Sequence, residues 1–492
     1  MAMMTDAVPM LIGETWGAEA SEWMELKNPA TGAGMGRVPM GEAEAVDRAV
    51  AAAARAFKTW SQEPITKRTT IMFRYRELLN QHAEEIVRIL VSENGKTLDE
   101  GRGDLKRGIE VVELACGAAA LGGGESSAEV GPNLDGLTWR EPLGVCVGIT
   151  PFNFPAMVPL WMFPVAIVCG NTFVLKPSEK TPRTAVRLGE LLLEAGLPAG
   201  VFNIVHGGRA AVEALCQHPE VAAVSFVGST SVAEAVYRMA THAGKRAQAA
   251  GGAKNCMVVM PDAEPEATIR GIMGAAFGCA GQRCMAGSMI LGVGAAADGL
   301  RERLCAAIDK VVLGDPLGTG PVDMGPLIDA AARERIHKGI AAGLAEGGEL
   351  VRDGRKGAPA AGNFVGPTLF DRVKPEMQLA KTEWFGPLLA LQRPEDLEAA
   401  IVRINGDEHG NGAVIFTSDG GAARRFARAV KCGMIGVNVP VPAALAQYAF
   451  SGWNRSFFGD LHVQGKEGFL FYTRQKLVFS RWDAGYRRTL GW

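Results

Sequence analysis

The segment Phe277-Gly278-Cys279-Ala280-Gly281-Gln282-Arg283-Cys284 carries the clearest chemistry in this chain. It joins an expected helix over Asp262–Gly278 to an apolar, strand-like run at Ser288–Val293. A cysteine in such a loop lies near backbone N–H groups, small neighbours and the cationic Arg283, all of which favour thiolate over thiol. Cys284 is therefore a candidate nucleophile, although taken alone it also fits a small buried residue. Cys279, at the helix end, reads as structural. Thr150-Pro151-Phe152-Asn153-Phe154-Pro155 follows a strand and precedes a helix, at the sheet edge where α/β folds bind ligands. Asn153 there offers either an amide donor for an oxyanion or an ordinary turn cap. In Lys176-Pro177-Ser178-Glu179 the carboxylate can accept both hydroxyls of a ribose, and the lysine can reach the same sugar or a phosphate. Phe226-Val227-Gly228-Ser229-Thr230 ends a strand and opens a helix, so Gly228 and Ser229 can turn N–H groups toward an anion such as pyrophosphate. It lacks a GxGxxG pattern. Glu383, in Glu383-Trp384-Phe385-Gly386-Pro387, can hold a second ribose. The Lys176–Glu179 and Glu383–Pro387 segments also fit solvated loops.

The elements that must position these residues follow from periodicity. Val46–Trp60, Lys67–Ser92 and Arg102–Ala120 read as helices, the last closed by Gly122-Gly123-Gly124. From Gly144 apolar strands at Val145–Ile149, Thr172–Leu175, Val201–Val205, Ala223–Val227 and Met257–Met260 alternate with helices near Val158–Cys169, Arg183–Ala195, Arg209–Gln217 and Ser231–His242. Such alternation predicts right-handed βαβ units and a mainly parallel sheet covered on both faces. A second alternating set runs from Ile272 to about Asn438, with Met289–Val293, Asp298–Val311, Ala330–Glu346, Ala413–Phe416 and Ala422–Val430. The predicted architecture is α/β, two parallel-sheet domains with a cleft between them. The tail Gly468–Arg481 has strand character and can form a small sheet with Leu137–Arg140, suited to subunit contact.

At 492 residues the chain exceeds one compact core. Its 51 Lys+Arg against 53 Asp+Glu, with no basic stripe, argue against a nucleic-acid partner. Nine scattered cysteines with no CxxC argue against disulfides or a zinc site and for a reducing compartment. No signal peptide is read at the N-terminus, and Met157–Cys169, the longest apolar stretch, is too short to span a bilayer. A cytoplasmic protein without membrane or metal is expected.

Together the segments TPFNFP, KPSE, FVGST, GGAK, GQRC and EWFGP, in that order, resemble the aldehyde dehydrogenase superfamily over essentially the whole chain. The resemblance implies that fold, with an NAD-binding domain over 1–121 and 144–253, a catalytic domain over 254–450, and an oligomerisation element over 122–143 and 451–492. It implies Cys284 as nucleophile and Asn153 as the side-chain half of an oxyanion hole completed by the Cys284 N–H. Phe152, Lys176, Glu179, Gly228, Ser229, Glu383 and Phe385 become contacts of NAD, with Glu179 disfavouring a 2′-phosphate and hence NADP. A homo-oligomer, dimer or tetramer, is implied.

One departure is informative. Most members carry a general-base glutamate in an ELGGK-like segment, where this chain has Ala249-Ala250-Gly251-Gly252-Ala253-Lys254, so Ala250 stands in its place. Without it water is poorly activated, since positioned proton transfer is worth roughly 10²–10⁴-fold. A thiol acceptor needs less help, which points to coenzyme A. This pattern, with Pro159–Pro164, Gly170–Lys176 and Gly459-Asp460-Leu461-His462, resembles the CoA-acylating methylmalonate-semialdehyde dehydrogenase branch. By that resemblance Arg107 and Arg283 hold a substrate carboxylate, a task suited to the planar guanidinium fork, and the activity is oxidation of malonate or methylmalonate semialdehyde with decarboxylation to acetyl-CoA or propionyl-CoA. The alternatives are a hydrolytic dehydrogenase releasing a free acid and a non-catalytic NAD-binding homologue. Two places depart from the branch: Ala443–Phe450 replaces a Pro/Phe-rich stretch, and Cys256 replaces a histidine.

Overall fold

A computed structural model describes residues 6–41, 43–482 and 485. In chain order it begins with short strands β1 (Met10–Ile12), β2 (Thr15–Gly17), β3 (Trp23–Lys27) and β4 (Gly34–Pro39), then helices α1 (Ala43–Trp60), α2 (Ile65–Gln81), α3 (Ala83–Asn94), α4 (Leu98–Cys116) and α5 (Ala118–Leu121). Next come β5 (Ser126–Gly131), β6 (Leu134–Pro142), β7 (Val145–Ile149), α6 (Met157–Val168), β8 (Thr172–Lys176), α7 (Pro182–Glu194), β9 (Phe202–Ile204), α8 (Arg209–Gln217), β10 (Val221–Val227), α9 (Thr230–His242) and β11 (Arg246–Ala250). The second set is β12 (Asn255–Val259), α10 (Pro265–Phe277), β13 (Gly287–Gly292), α11 (Ala296–Ile308), α12 (Ala330–Ala345), β14 (Glu349–Arg352), β15 (Thr368–Asp371), α13 (Gln378–Lys381), β16 (Leu388–Gln392), α14 (Leu397–Asn405), β17 (His409–Gly410), β18 (Gly412–Phe416), α15 (Gly420–Ala429) and β19 (Met434–Val437). Then follow β20 (Trp453–Asn454), β21 (Phe457–Phe458), α16 (Gly465–Phe471) and β22 (Thr473–Arg481).

Two sheets organise the chain, as the α/β expectation required. One has the order β2-β1-β9-β8-β7-β10-β11-β21, parallel from β9 to β11 with antiparallel strands at its edges. The other has the order β14-β15-β16-β13-β12-β18-β19, parallel except for β14. Their inner strands are buried end to end, so they read as continuous apolar runs rather than alternating ones. A third sheet, β22-β6-β5, is antiparallel, and β22 pairs residue for residue with β6 from Thr473↔Pro142 to Arg481↔Leu134.

Several expectations change. Lys67–Ser92 is two helices, α2 and α3, broken at His82, and Arg102–Ala120 starts earlier and breaks at Gly117. The early start has a local cause. Thr97 accepts from the Glu100 N–H while the Glu100 carboxylate takes the Thr97 N–H, a capping box that fixes the first turn of α4. Met257–Met260 belongs to the second sheet as β12, not to the first set. Gly468–Arg481 is only half strand: Phe469, Phe471 and Tyr472 are buried at the end of α16, and the strand begins at Thr473. The Ala-rich β11 and the short strands β1–β4 carry no strand pattern of their own, and sheet pairing overrides their weak propensity. Residues 483–484 and 486–492 of the expected 451–492 element lie outside the described residues, as do 1–5 and 42.

Candidate active site

A cavity of about 830 Å³ opens at the C-terminal edge of the first sheet. Ends of β7, β8 and β10 deliver Asn153, Glu179 and Gly228 to its wall, while Cys284 and Glu383 arrive from the second set of elements. Of the expected site residues, Phe152, Asn153, Lys176, Glu179, Gly228, Ser229, Cys284, Glu383 and Phe385 all line this one space.

The Cys284 loop owes its shape to strained backbone. Cys279, Ala280 and Gly281 have φ of 51°, 51° and 71°, a left-handed run that only Gly adopts freely. Gly281 also passes Gly386 so closely that a Cβ would stand 2.2 Å from its carbonyl oxygen. The run is held by the Glu100 carboxylate, which accepts the Cys279 N–H at 2.5 Å, and by Asn255 and Asn411, both donating to the Cys284 carbonyl at 2.9 Å. Cys284 itself is half-buried. Its thiol is pushed up to about 12 by burial and by the carboxylate of Glu383, against the pull of the Cys284 and Met285 N–H groups and Arg283. The expected thiolate bias is thus reversed.

Arg283 contributes little to Cys284 because its guanidinium turns elsewhere. It donates to the Gly274 carbonyl at 3.2 Å and stands 3.6 Å from Glu100, lining a second cavity of about 450 Å³ with Arg270 and Asp323. Arg107 pairs with Glu110 at 2.8 Å on an exposed stretch of α4. Neither arginine is on the wall of the Cys284 cavity.

Asn153 is buried, and its amide donates to the Gln282 carbonyl at 2.9 Å, one turn of chain from Cys284. Its main chain is clamped from behind. Lys96 Nζ donates to the Asn153 carbonyl at 2.7 Å and to Asp104 Oδ2 at 2.8 Å, and Asp104 Oδ1 accepts the Met157 N–H that starts α6. Asn94 donates to the Phe152 carbonyl at 2.9 Å. These residues went unnoticed in the sequence. The Asn94-Gly95-Lys96 step reads as a helix stop, and Gly95, at φ 88°, does cap α3. Nothing in its spacing tells where the Lys96 side chain reaches.

At the other end, Lys176 donates to the Gly207 carbonyl at 2.7 Å and stands 3.3 Å from Glu179. Burial lowers the Lys176 ammonium, and Glu179 opposes the shift. Val212 of α8 and Val232 and Val236 of α9 form an apolar slot beside this pair. Ser229 caps α9 without a side-chain bond, leaving first-turn N–H groups beside the cavity. A flat apolar slot, a carboxylate beside it and a helix N-terminus beyond are the donor set a dinucleotide needs.

Glu383 accepts the Ala253 N–H at 2.9 Å, and a Cβ on Gly252 would stand 2.1 Å from its other oxygen. Burial raises its carboxyl, opposed by the Ala253 N–H, His409, Lys254 and Arg335. Arg335, another residue the sequence did not single out, holds the same loop by donating to the Trp384 carbonyl at 2.9 Å. Phe385 meets Phe152 edge-on at 5.9 Å across the cavity. Ala250, the last residue of β11, is buried in the same apolar cluster that Cys284, Ala446 and Phe450 pack against. The atypical Ala443–Phe450 loop contributes Ala446 and Phe450 to that same cluster, while Cys256 is buried inside β12.

Residues 16–478 match the aldehyde dehydrogenase family. Malonate-semialdehyde dehydrogenase 1 of Geobacillus kaustophilus (strain HTA426) is 50% identical over 483 residues, which is 97% of this chain and 98% of that protein. Malonate-semialdehyde dehydrogenase of Pseudomonas aeruginosa PAO1 is 49% identical over 463 residues, 93% of each. The crystal structure of methylmalonate-semialdehyde dehydrogenase from Oceanimonas doudoroffii superposes with a TM-score of 0.96 at 46% identity, covering 97% of this chain and 99% of that one. A structure from Sinorhizobium meliloti 1021 complexed with NAD also gives 0.96, at 42% identity and 99% coverage of both.

Proposed function

Since the chain belongs to the aldehyde dehydrogenase family, we propose that it performs NAD-dependent, CoA-acylating oxidation of malonate or methylmalonate semialdehyde, with loss of carbon dioxide, to acetyl-CoA or propionyl-CoA. The observation that carries this reading is Ala250. A buried methyl group stands in the base position, next in the chain to Gly251 and Gly252, which line the cavity with Cys284, Asn153 and Glu383. The relatives' names supply the semialdehyde.

In this mechanism the Cys284 thiol loses its proton to solvent and the thiolate Sγ adds to the aldehyde carbon. The oxyanion accepts from the Cys284 N–H and from the Asn153 amide, which leaves the Gln282 carbonyl to meet it. Lys176 and Glu179 hold the adenosine ribose, Gly228 and Ser229 the pyrophosphate, and Glu383, with Phe152 and Phe385, the nicotinamide end. NAD, when bound, supplies the hydride acceptor. The product on Cys284 is a thioester, and a β-carboxylate on its acyl chain departs as carbon dioxide while the same oxyanion hole stabilises the enolate, whose carbon then takes a proton from solvent. Coenzyme A then displaces Cys284. Arg107 and Arg283 are the proposed carboxylate holders, and each must leave its present acidic partner, Glu110 or Glu100, to serve. Residues 1–121 with 144–253, and 254–450, are proposed as the NAD-binding and catalytic domains, and 122–143 with 451–492 as the element through which copies of the chain associate.

The test is NADH formation with malonate semialdehyde, with and without CoA, and product analysis. CoA-dependent turnover to acetyl-CoA is expected. Equal turnover to a free acid without CoA would sink the acylating reading. Cys284→Ala is expected to abolish NADH formation.

A further inference from the structure

Moving an acyl group between two thiols requires a proton to move as well. The incoming thiol must lose one, and Cys284, pushed up to about 12, leaves poorly as a thiolate unless it regains one. Ala250 cannot carry it. Three carboxylates line the cavity on which Cys284 opens: Glu179, Glu213 and Glu383. Glu213 belongs to α8 and pairs with Arg209 at 2.6 Å, and Glu179 stands by Lys176, both at the far end. After burial, the charge of Glu383 is the leading influence that raises the Cys284 thiol.

Its seating is specific. The Glu383 carboxylate comes across from the loop before Phe385 and lies against Gly252, where any side chain would displace it, two residues beyond Ala250. A carboxylate thus reaches the neighbourhood of the missing base from the opposite wall. The groups facing it are Lys254, Arg335, His409 and Cys284. His409 is itself held by Asp407 at 3.1 Å, and its other ring nitrogen lies 3.3 Å from the Thr230 hydroxyl that accepts the Gly252 N–H. Burial raises the Glu383 carboxyl while these neighbours favour its ionised form, so groups that stabilise each protonation state meet at the carboxylate.

We propose that Glu383 is the acid–base residue of acyl transfer. It takes the proton from the incoming thiol as the new S–C bond forms at the thioester carbonyl. It then gives that proton to Cys284 Sγ as the old C–S bond breaks, so that Glu383 begins and ends ionised and nothing is oxidised or reduced. This rests on the acyl-transfer reading above, and it gives one carboxylate two successive tasks, the ribose first and the proton after the nicotinamide end has left.

The experiment bypasses NAD. Cys284 is acetylated with p-nitrophenyl acetate, the nitrophenolate burst reporting a folded protein with a reactive thiol. Discharge of the acetyl-enzyme by CoA is then followed by rapid-quench mass spectrometry between about pH 6 and pH 10, spanning the ordinary thiol pKa of about 8.5. In the wild-type chain the rate should level off well below that pKa. Glu383→Gln should be slower at pH 7 by roughly 10²–10⁴-fold and climb about tenfold per pH unit toward free-thiol ionisation, while Glu383→Asp restores part of the plateau. A purely electrostatic role predicts the opposite, because removing the charge makes Cys284 the better leaving group. Discharge of Glu383→Gln at the wild-type rate and with the wild-type profile overturns the proposal alone. An acetylated wild-type chain that ignores CoA overturns the acyl-transfer reading and the proposal together.

Discussion

At the scale of single residues, the electrostatics of Cys284 change what its loop was expected to do. Arg283 and the loop N–H groups were readable from sequence as promoters of thiolate, but their effect is outweighed by enclosure and by Glu383, a residue 99 positions along the chain that only the fold brings near. Alkylation of Cys284 by iodoacetamide, mapped by peptide mass, should therefore be slow at pH 7 and keep rising past pH 9, since the thiol titrates near 12. Glu383→Gln removes the adjacent negative charge and lowers the thiol pKa. Alkylation at pH 8 should then speed up, roughly tenfold for a pKa lower by one; an unchanged rate would show that the two groups do not interact. Ala250 makes a second residue-level prediction. It is buried directly before Gly251 and Gly252, which line the Cys284 cavity, and it stands where the family resemblance puts the general base. Ala250→Glu should raise free-acid release relative to CoA transfer, by up to roughly 10²-fold, and lower the thermal midpoint because a carboxyl is buried among apolar groups. Glu179 is legible in the same way: Glu179→Gln should narrow the preference for NAD over NADP in kcat/KM by about tenfold, about 1.4 kcal/mol.

At the scale of elements, the loop carrying Asn153 is set by helices that precede it by more than 35 residues. Lys96 and Asp104 have fully buried side chains, and their ion pair joins the turn before α4, the body of α4, the Asn153 carbonyl and the first N–H of α6. Breaking such a pair from one side leaves a buried charge and typically costs about 3–5 kcal/mol, whereas replacing both partners by apolar groups is often neutral. The stability and positioning roles of Lys96 can thus be separated. Lys96→Met should lower both the urea midpoint and the single-turnover NADH burst rate. The double variant Lys96→Met with Asp104→Leu should regain stability while the burst stays slow, because the Asn153 carbonyl still lacks its donor. Recovery of both would mean that Lys96 only balances Asp104. This network also marks the limit of what periodicity reveals. Strands such as β7 and β8 and helices such as α8 announce themselves by apolar runs and spacing, and so do the loops at their C-terminal ends where ligand contacts gather. A lysine after a helix-capping glycine announces nothing. Nor does β11, whose Ala-rich run becomes a strand only because β10 on one side and β21 on the other take up its backbone groups. The half-helical tail has the same cause: Phe469 and Phe471 look strand-like by composition, yet they are buried side chains of α16, which packs beside α6.

At the scale of the molecule, the two parallel sheets bury their faces within the chain, but the β5-β6-β22 sheet does not. Its root is firmly tied to the first sheet. Arg246 of β11 donates to the carbonyls of Leu470, Phe471 and Thr473, and Arg140 of β6 donates to the Thr473 hydroxyl at 2.6 Å. Toward its tip it leaves Leu477, Phe479 (59% exposed) and Trp482 (87% exposed) in solvent, with Val130 and Leu137 beside them. A three-stranded ribbon with apolar side chains on its open surface is an unstable solution for an isolated chain, because the area it fails to bury is worth roughly 25 cal/mol per Å². The same ribbon has edge strands with unpaired backbone groups, the usual template for pairing with another copy. Rigid anchoring at Thr473 means that the tip is presented in a fixed orientation, so association there needs little ordering. Leu477 and Phe479 stand two residues apart on one face, and Phe479 covers Gly136 across the ladder. If copies associate through this ribbon as proposed, changing both to Glu should shift sedimentation toward smaller species. The acetylation burst at Cys284 should survive these changes, because Leu477 and Phe479 do not line the Cys284 cavity. A wild-type chain that sediments as a monomer would remove the assignment of this ribbon to subunit contact.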